Sequence, residues 1–167
     1  QAVLLAAGRG TRLGELTRTT PKPLLAVGGE PIIFRIIRGL ATAGVGDITV
    51  VTGHLAEAME AALGDGGQWG VALRCVRQER LDGTARAAAL ARPYLGAGPF
   101  FVGWGDIVVE TANYERVVSA GAGTGAAIAV NEVDDPWAGG AVYIDAAMRE
   151  LRVVEKPLLE VVMQHAD

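Results

Sequence analysis

The sequence is poor in cysteine and has no excess of positive charge. The single cysteine, Cys75, cannot form a disulfide within the chain, so a reducing compartment, the cytoplasm, is the expected location. The 15 Lys and Arg residues stand against 19 Asp and Glu residues, which gives a formal net charge of −4. This balance gives no support to a general nucleic-acid-binding protein, and we expect no nucleic-acid partner.

The sequence also lacks a long hydrophobic run. The longest uncharged stretch, residues 117–131, contains three glycines and falls short of the ~20 residues that a membrane span needs. The apolar residues 1–7 lack the basic region of a secretion signal and lead directly into Gly8. We therefore expect a soluble, cytoplasmic chain with no membrane partner.

What is present is typical of a folded protein of one domain. The chain has 167 residues, of which 50% are hydrophobic and 20% charged, so it can bury a core and is not intrinsically disordered. Its 23 glycines are about double the usual share of ~7% but follow no strict period. They are therefore expected in turns and loops.

Short apolar runs alternate with helical patterns in the first two thirds of the sequence. The runs predict buried strands, and the patterns between them predict helices, the first with Pro31 at its first position. This alternation predicts an α/β fold with a mostly parallel sheet. The predicted strands are 2–6, 48–52, 71–76 and 100–103, and the predicted helices are 31–43, 56–63 and 84–95.

The pattern changes after Gly105. A predicted helix near residues 114–120 is followed by β-like runs at 126–130, 141–144 and 151–154.

A glycine-rich segment, residues 4–12 with the sequence LLAAGRGTR, follows the first predicted strand. Ligands of parallel sheets bind at the carboxyl ends of the strands, where glycines let backbone N–H groups approach phosphate. A plain turn is the simplest alternative. The dinucleotide fingerprint fails because Leu13 stands at its last glycine position, and a Walker A loop fails because no Gly-Lys-Ser/Thr follows.

The threonines and prolines after this segment predict a long structureless loop over residues 7–24. Loops of this length in a compact domain are usually functional. This loop carries four cations in an otherwise acidic chain, which favours a polyphosphate ligand. They are Arg9, Arg12, Arg18 and Lys22.

Residues 5–24, LAAGRGTRLGELTRTTPKPL, resemble the signature of the sugar-1-phosphate nucleotidylyltransferases. These enzymes join an NTP to a sugar 1-phosphate and release pyrophosphate. Glu15 departs from the signature, which usually has proline there. Later segments extend the resemblance as far as Pro157: 78–85 resembles the base-reading segment, Gly105-Asp106 the magnesium-binding pair, and 135–140 with Asp145 and 155–157 the sugar-side segment.

The resemblance implies a fold and a domain arrangement. The fold is a Rossmann-like three-layer sandwich, with a mostly parallel mixed sheet and helices on both faces. Residues 1–157 would form a single catalytic domain and residues 158–167 a C-terminal helix. A homo-oligomer is compatible with this arrangement.

The resemblance also implies site residues, with Mg²⁺ as the cofactor and an NTP and a sugar 1-phosphate as substrates. Arg12 and Lys22 would act on the phosphates, and Asp106 would hold the metal. His54 is interpreted as a helix-start residue rather than a ligand. The nucleotide-binding set is Leu5, Ala6, Ala7, Gly8, Gly10, Thr11, Arg12, Gln78, Gly83 and Thr84, and the sugar-phosphate set is Gly140, Glu155 and Lys156.

The base is predicted to be a pyrimidine, since the Gln78 amide can offer a donor and an acceptor to uracil or thymine. Glu79 would point to the opposite side if Gln78 ended a strand. A guanylyl-transferring, mannose 1-phosphate enzyme is one alternative. A non-catalytic nucleotide- or sugar-phosphate-sensing domain is another, and a Rossmann dehydrogenase is the most distant.

The family's second metal-binding Asp and the strand that completes its sugar pocket are not recognisable after Pro157. The chain is then a fragment, or lacks a segment in the sequence as given, or is a degenerate relative. The second explanation is favoured because the functional positions as far as Lys156 are intact.

Overall fold

A computed structural model describes residues 1–123, 125–133, 140–147 and 149–155, with only the backbone at 150, 151 and 155. The chain divides into two compact units, residues 1–127 and 128–167. The strands are β1 Ala2–Ala6, β2 Ala26–Val27, β3 Glu30–Pro31, β4 Asp47–Thr52, β5 Ala72–Arg77, β6 Phe101–Trp104, β7 Gly140–Ile144 and β8 Glu150–Glu155. The α-helices are α1 Ile32–Thr42, α2 Ala56–Leu63, α3 Thr84–Leu90 and α4 Thr111–Gly121.

A four-stranded parallel sheet with the order β5-β4-β1-β6 forms the centre of the first unit. The chain runs outward from β1 through β4 to β5 and then returns to place β6 on the other side of β1. This confirms the predicted α/β fold with a parallel sheet. The antiparallel strands belong to separate two-stranded pairs, β2 with β3 and β7 with β8.

Helices cover both faces of this sheet, which confirms the three-layer expectation. On one face, Leu4 of β1 packs in a core with side chains of α1, α2 and α4, such as Ile33, Met59 and Tyr114. On the other face, Leu5 packs with Ala87 of α3. Alternate residues of β1 therefore face opposite layers, as expected for a strand that is buried on both sides.

The helices α1 and α4 approach closely at a glycine. A Cβ built on Gly39 would lie 2.4 Å from the Tyr114 ring, so only glycine fits there without a shift. Tyr114 is buried and meets Phe101 of β6 edge-on. This contact joins the edge strand of the sheet to both helices.

The first helix begins one residue later than predicted. Pro31 has an extended ψ of 137° and precedes the helix instead of occupying its first position. The reason is a tight hairpin in which Gly28 and Gly29 both have positive φ, the combination that two-residue hairpin turns require. Pro31 pairs with Ala26 across this hairpin.

Other predicted boundaries also differ from the structure. The segment 7–24 is not structureless, because it contains 3₁₀ helices at Thr11–Thr17 and Lys22–Leu24. The helix predicted over 84–95 ends at Leu90 and is followed by a 3₁₀ turn, Arg92–Tyr94, whose Pro93 has no N–H group for a longer helix. The β-like run 126–130 is not a strand; Ile128 and Val130 are exposed, so no buried face supports one.

The described part of the second unit is an antiparallel hairpin of β7 and β8, which confirms the last predicted strands. Asp145 shapes the turn between them, because its carboxylate accepts hydrogen bonds from the backbone N–H groups of Ala147 and Arg149. These bonds and the Arg149 side chain lower the pKa of Asp145. The predicted helix 158–167 lies outside the described residues. Among the described residues, no helix is long and apolar enough to cross a membrane.

Candidate active site

The carboxyl ends of β1 and β6 lie side by side at the point where the strand order reverses. In open parallel sheets this switch point is where a crevice for ligands forms. The glycine-rich segment leaves β1 here, and Gly105 and Asp106 follow β6. The backbone N–H of Gly105 donates to the carbonyl oxygen of Leu5 at 2.9 Å, so the two strand ends are tied together.

Lys22 and Asp106 meet at this switch point. The Lys22 Nζ lies 2.7 Å from the Asp106 Oδ2. Their side chains keep 35% and 28% of their surface exposed, so both remain accessible to a ligand. Two residues that the sequence placed in separate motifs are thus in direct contact.

Gly10 gives the loop its shape. It has a left-handed backbone with φ of 63°, and a Cβ there would lie 3.0 Å from Thr17 and 3.1 Å from Lys22. The buried hydroxyl of Thr17 donates to the carbonyl oxygen of Gly10, with the Gly14 carbonyl oxygen also in reach at 3.2 Å. The loop therefore folds back on itself and brings Lys22 beside Gly10.

Two residues that support this loop, His54 and Thr17, were not predicted to do so. The His54 backbone N–H donates to the Ala7 carbonyl oxygen at 3.2 Å, and its Nε2 lies 3.4 Å from the Thr17 carbonyl oxygen. Only Leu55 separates His54 from α2, so the interpretation of His54 as a helix-start residue agrees with its place in the chain. Its contacts add a second role, because it links the end of β1 to the 3₁₀ helix that carries Arg12. The sequence signal for Thr17 was its place inside the signature.

The loop cations are not equivalent. Arg12 is exposed, and among the described residues its guanidinium forms no ion pair, so it is available to a phosphate. Arg18 instead pairs with Glu15 at 2.8 Å, the residue that stands where the signature has proline. Because both side chains are largely exposed, this pair contributes little to stability. Arg18 thus differs from Arg12 in having an acidic partner.

The remaining loop residues of the nucleotide-binding set fall into two groups. Leu5, Ala6 and Ala7 are buried at the end of β1, whereas Gly8 and Thr11 are exposed. A Cβ on Gly8 would meet no atom within 4 Å, so the space above this glycine is open.

A cavity of about 210 Å³ lies beside the loop, at the carboxyl ends of β4 and β5. Its lining is mainly polar and charged. Side chains of both signs reach it, so it suits a polar ligand rather than an apolar one. The lining residues are Arg9, Gly53, His54, Ala56, Glu57, Arg77, Gln78, Glu79 and Leu81.

Gln78 is 7% exposed. It contacts Gly83, the glycine of the segment that resembles the base-reading segment. Its Nε2 donates to the Gly83 carbonyl oxygen at 3.3 Å and to the Asp82 Oδ1 at 3.2 Å. The expectation that this amide offers a donor to the base is therefore wrong for the observed arrangement, because its amino group is already engaged. Thr84 follows as the first residue of α3 and is exposed.

Glu79 also departs from its predicted orientation. The strand β5 ends at Arg77, so the alternation of faces does not extend to residues 78 and 79. Gln78 is buried and Glu79 exposed, yet both line the same cavity.

Arg77 anchors the end of β5 to α2. Its guanidinium lies 2.7 Å from Glu60 and 2.8 Å from Glu57. A backbone hydrogen bond and then the bond from Arg77 lower the pKa of Glu57, and the hydrogen bond from Arg77 lowers the pKa of Glu60. The strand end that leads to Gln78 is thereby fixed by a three-residue ion-pair network.

Cys75 is not a candidate nucleophile. Burial raises the pKa of this thiol to about 11, so it stays protonated at neutral pH. Its position within β5 gives it a packing role.

The chemistry of Asp106 can be compared with the needs of Mg²⁺. Among the described residues, no group of three His, Cys, Asp or Glu side chains could hold a metal ion. Mg²⁺ at nucleotide sites is usually bound by one or two carboxylates and by substrate phosphates. One accessible carboxylate beside the glycine-rich loop has the chemistry to hold Mg²⁺ together with a phosphate ligand.

The sugar-side residues belong to the second unit. Gly140 begins β7 and pairs with Glu155 at the end of β8. The Asp145 carboxylate is engaged in its own turn. Lys156 and residues 135–139 lie outside the described residues, so their predicted roles stay predictions.

Known proteins resemble this chain over most of its length. A 159-residue alignment with the glucose-1-phosphate thymidylyltransferase of Streptomyces antibioticus is 34% identical and covers 94% of the chain but 45% of the relative. The N-acetylmuramate alpha-1-phosphate uridylyltransferase of Neisseria meningitidis serogroup B is 43% identical over 112 residues, 66% of the chain and 48% of the relative. The chain thus spans about half the length of these curated relatives.

Solved structures agree with the sequence matches. A crystal structure of a Bacillus anthracis protein assigned to glucose-1-phosphate thymidylyltransferase superposes with a TM-score of 0.78 at 27% identity. The superposition covers 94% of this chain and 64% of the Bacillus anthracis chain. The family model described as nucleotidyl transferase matches residues 1–166. The glycine-rich loop, Lys22 and Asp106 meet at the switch point of the sheet, and the chain belongs to the nucleotidyl transferase family, together with its sugar-1-phosphate thymidylyl- and uridylyl-transferring relatives.

Proposed function

We propose that this chain carries out Mg²⁺-dependent transfer of a nucleotidyl group from an NTP to a sugar 1-phosphate, with UTP or dTTP as the preferred donor. The products are an NDP-sugar and pyrophosphate. The observation that carries the proposal is the contact between Lys22 and Asp106 at 2.7 Å, at the switch point and beside the glycine-rich loop. A cation for phosphate and a carboxylate for a metal meet where parallel sheets bind ligands.

The reaction needs positioning and charge neutralisation more than a nucleophilic side chain. An oxygen of the sugar 1-phosphate attacks the α-phosphorus in line, the bond from that phosphorus to the bridging oxygen breaks, and pyrophosphate leaves. Both reactants are anions, so cations in fixed positions supply most of the catalysis. The raised pKa of Cys75 agrees with a mechanism that uses no covalent intermediate.

Arg12 and Lys22 are the cations assigned to the phosphates. The planar Arg12 guanidinium can donate two hydrogen bonds to the oxygens of the departing pyrophosphate. Lys22 is held by the loop fold around Gly10 and acts as a point charge on the reacting phosphates. In the ligand-free chain its charge is balanced by Asp106.

Asp106 is assigned to hold Mg²⁺ together with the NTP phosphates. Bound there, the ion supplies Lewis-acid stabilisation of the charge on the phosphates. With Asp106 as a metal ligand, Lys22 would no longer need to balance its charge and would be available to the substrate phosphates.

The preference for a pyrimidine is supported by Gln78. This side chain is buried against the cavity, whereas the acidic Glu79 beside it is exposed to solvent, where guanine recognition by a carboxylate would be weakened. The two relatives described above are named for transfer of thymidylyl and uridylyl groups. A guanylyl-transferring enzyme is the second candidate, because Glu79 lines the same cavity.

The sugar-phosphate site is assigned to the second unit. Lys156 would neutralise the sugar 1-phosphate, Glu155 would accept from a sugar hydroxyl, and Gly140 would allow close approach of the backbone to the sugar.

The test is release of pyrophosphate by the full-length protein across a matrix of NTPs and sugar 1-phosphates, with and without Mg²⁺. We expect turnover only with Mg²⁺, and faster turnover with UTP or dTTP than with GTP. Binding of nucleotide without turnover in any combination would favour a sensing domain. Faster turnover with GTP would favour the guanylyl-transferring alternative.

A further inference from the structure

The Gln78 side chain is held by groups that can only accept hydrogen bonds. Its Nε2 lies 3.2 Å from the Asp82 Oδ1 and 3.3 Å from the Gly83 carbonyl oxygen. An ionised carboxylate and a backbone carbonyl oxygen have no hydrogen to donate. The amino end of the amide must therefore face Asp82 and Gly83, and the orientation of the amide follows from chemistry.

This orientation determines what Gln78 offers a ligand. The two N–H groups of Nε2 serve two acceptors, so no side-chain donor remains. The Oε1 has no hydrogen-bond partner among the described residues, and Gln78 lines the 210 Å³ cavity beside the glycine-rich loop. Gln78 thus presents a single acceptor.

Asp82 is itself held in place. Its backbone N–H donates to the Arg80 carbonyl oxygen at 2.8 Å, which closes a turn between Gln78 and α3. Its Oδ2 lies 3.6 Å from the Arg86 Nε, one turn into that helix. The next residue, Gly83, has φ of 114°, a backbone conformation that L side chains rarely adopt.

We propose that Asp82 is a positioning residue for base selection: by fixing the Gln78 amide, it makes the site select a base that carries an N–H in its ring. Uracil and thymine carry N3–H at this edge. Cytosine has an unprotonated N3 there, which would face the Gln78 Oε1 with two acceptors opposed. The inference rests on the proposed nucleotide site and adds the reason for rejecting CTP.

Without the Asp82 carboxylate, rotation of the amide would place its Oε1 against one acceptor, the Gly83 carbonyl oxygen, instead of two, so the rotated state becomes less costly. A rotated Gln78 would offer N–H to the cytosine N3. The selectivity of UTP over CTP should then fall, because a site that leaves buried polar groups unpaired with the wrong base loses that penalty.

The test compares equilibrium dissociation constants of UTP and CTP, each with Mg²⁺, for the wild type, Asp82→Ala, Asp82→Asn and Arg86→Ala. We expect Asp82→Ala to reduce the UTP-over-CTP ratio about tenfold. Asp82→Asn should retain most of the ratio, since its carbonyl oxygen still accepts. Arg86→Ala is the matched control and should leave the ratio unchanged, because it removes only an exposed partner of Asp82.

An unchanged ratio in a folded Asp82→Ala protein, checked by thermal unfolding, would overturn the proposal, as would an equal loss in Arg86→Ala. If Asp82→Ala does not fold, the test relies on Asp82→Asn. Equal affinity of Asp82→Asn for UTP and CTP would then overturn the proposal. Binding needs no sugar phosphate, so a failure of catalysis in the wild type is observed separately and contradicts the proposed function, not this inference.

Discussion

The two units of the chain differ in how much of their structure they bury. In the first unit, β4 is buried at every residue from Ile48 to Thr52. In the described part of the second unit, the hairpin leaves Ile144 40% and Val153 52% exposed. A two-stranded hairpin is marginal by itself in water, whereas a sheet covered by helices on both faces supplies its own core. Of the described residues, those of the hydrophobic core lie in the first unit.

The difference extends to the proposed chemistry. The residues assigned to the nucleotide and the metal lie in the first unit, at the ends of β1, β5 and β6 and in the segments that follow them. The residues assigned to the sugar phosphate lie in the second unit. We therefore expect the nucleotide half of the reaction to depend on geometry that is already formed before the sugar phosphate binds.

Asp106→Asn should have the largest effect. Replacing the carboxylate that we propose holds Mg²⁺ should lower Mg²⁺-dependent pyrophosphate release by on the order of 10³-fold or more, while thermal unfolding stays near that of the wild type. The matched control is Asp47→Asn, which removes a carboxylate at the amino end of β4, where Asp47 pairs with Arg74. Normal magnesium-dependent turnover in Asp106→Asn would refute the role of this residue.

Arg12→Ala and Lys22→Ala should follow, each with a loss of roughly 10²–10³-fold in kcat. Both cations are assigned to charge that develops as pyrophosphate leaves, so the KM for the sugar phosphate should change far less. Steady-state kinetics with the sugar phosphate varied measures both constants. Arg18→Ala is the control, because Arg18 is paired with Glu15. A change in KM alone would show that the cation binds the sugar phosphate instead.

Hydrogen exchange tests the structural side of the comparison. Amide groups of β4 should open only with global unfolding, whereas those of β7 and β8 should exchange through local opening of lower free energy. Exchange of the full chain, followed by mass spectrometry of peptides, gives both values at once. Equal protection of the hairpin and β4 would contradict the contrast between the units.

Two glycines of the loop should respond differently to the same substitution. Gly10→Ala places a Cβ close to Thr17 and Lys22 at a left-handed φ, so we expect a loss of about 1–3 kcal/mol in the free energy of unfolding. Gly8→Ala adds a methyl group to open space and should leave stability almost unchanged. Denaturant unfolding compares them directly. Equal destabilisation by the two substitutions would mean that Gly10 does not fix the loop.

The sequence predicted the parallel sheet because strands depend on local signals, and its candidate site residues come from local signals too. Buried β-branched runs identify strands such as β4, and a long signature identifies the loop that carries Lys22. Contacts between distant segments were not accessible from the pattern. Separate motifs carry Lys22 and Asp106, and the sequence does not show that they form an ion pair. Nor does it show that the Gln78 amide donates to Asp82 and Gly83.

The errors have related causes. Pro31 was placed inside a helix because a hairpin pairing with Ala26 leaves no local periodicity. The run 126–130 has the composition of a strand, but strands depend on packing, and its apolar side chains are exposed. Glu79 was assigned by strand alternation, which ends at Arg77.

We propose that Asp106 and the glycine-rich loop bind the metal and the nucleotide together at the switch point. The most direct test is the affinity for UTP, measured by calorimetry with and without Mg²⁺ in the wild type, Asp106→Asn and Asp47→Asn. We expect Mg²⁺ to tighten UTP binding in the wild type and in Asp47→Asn. In Asp106→Asn, Mg²⁺ should leave the affinity for UTP unchanged. A gain from Mg²⁺ that is equal in all three proteins would contradict it.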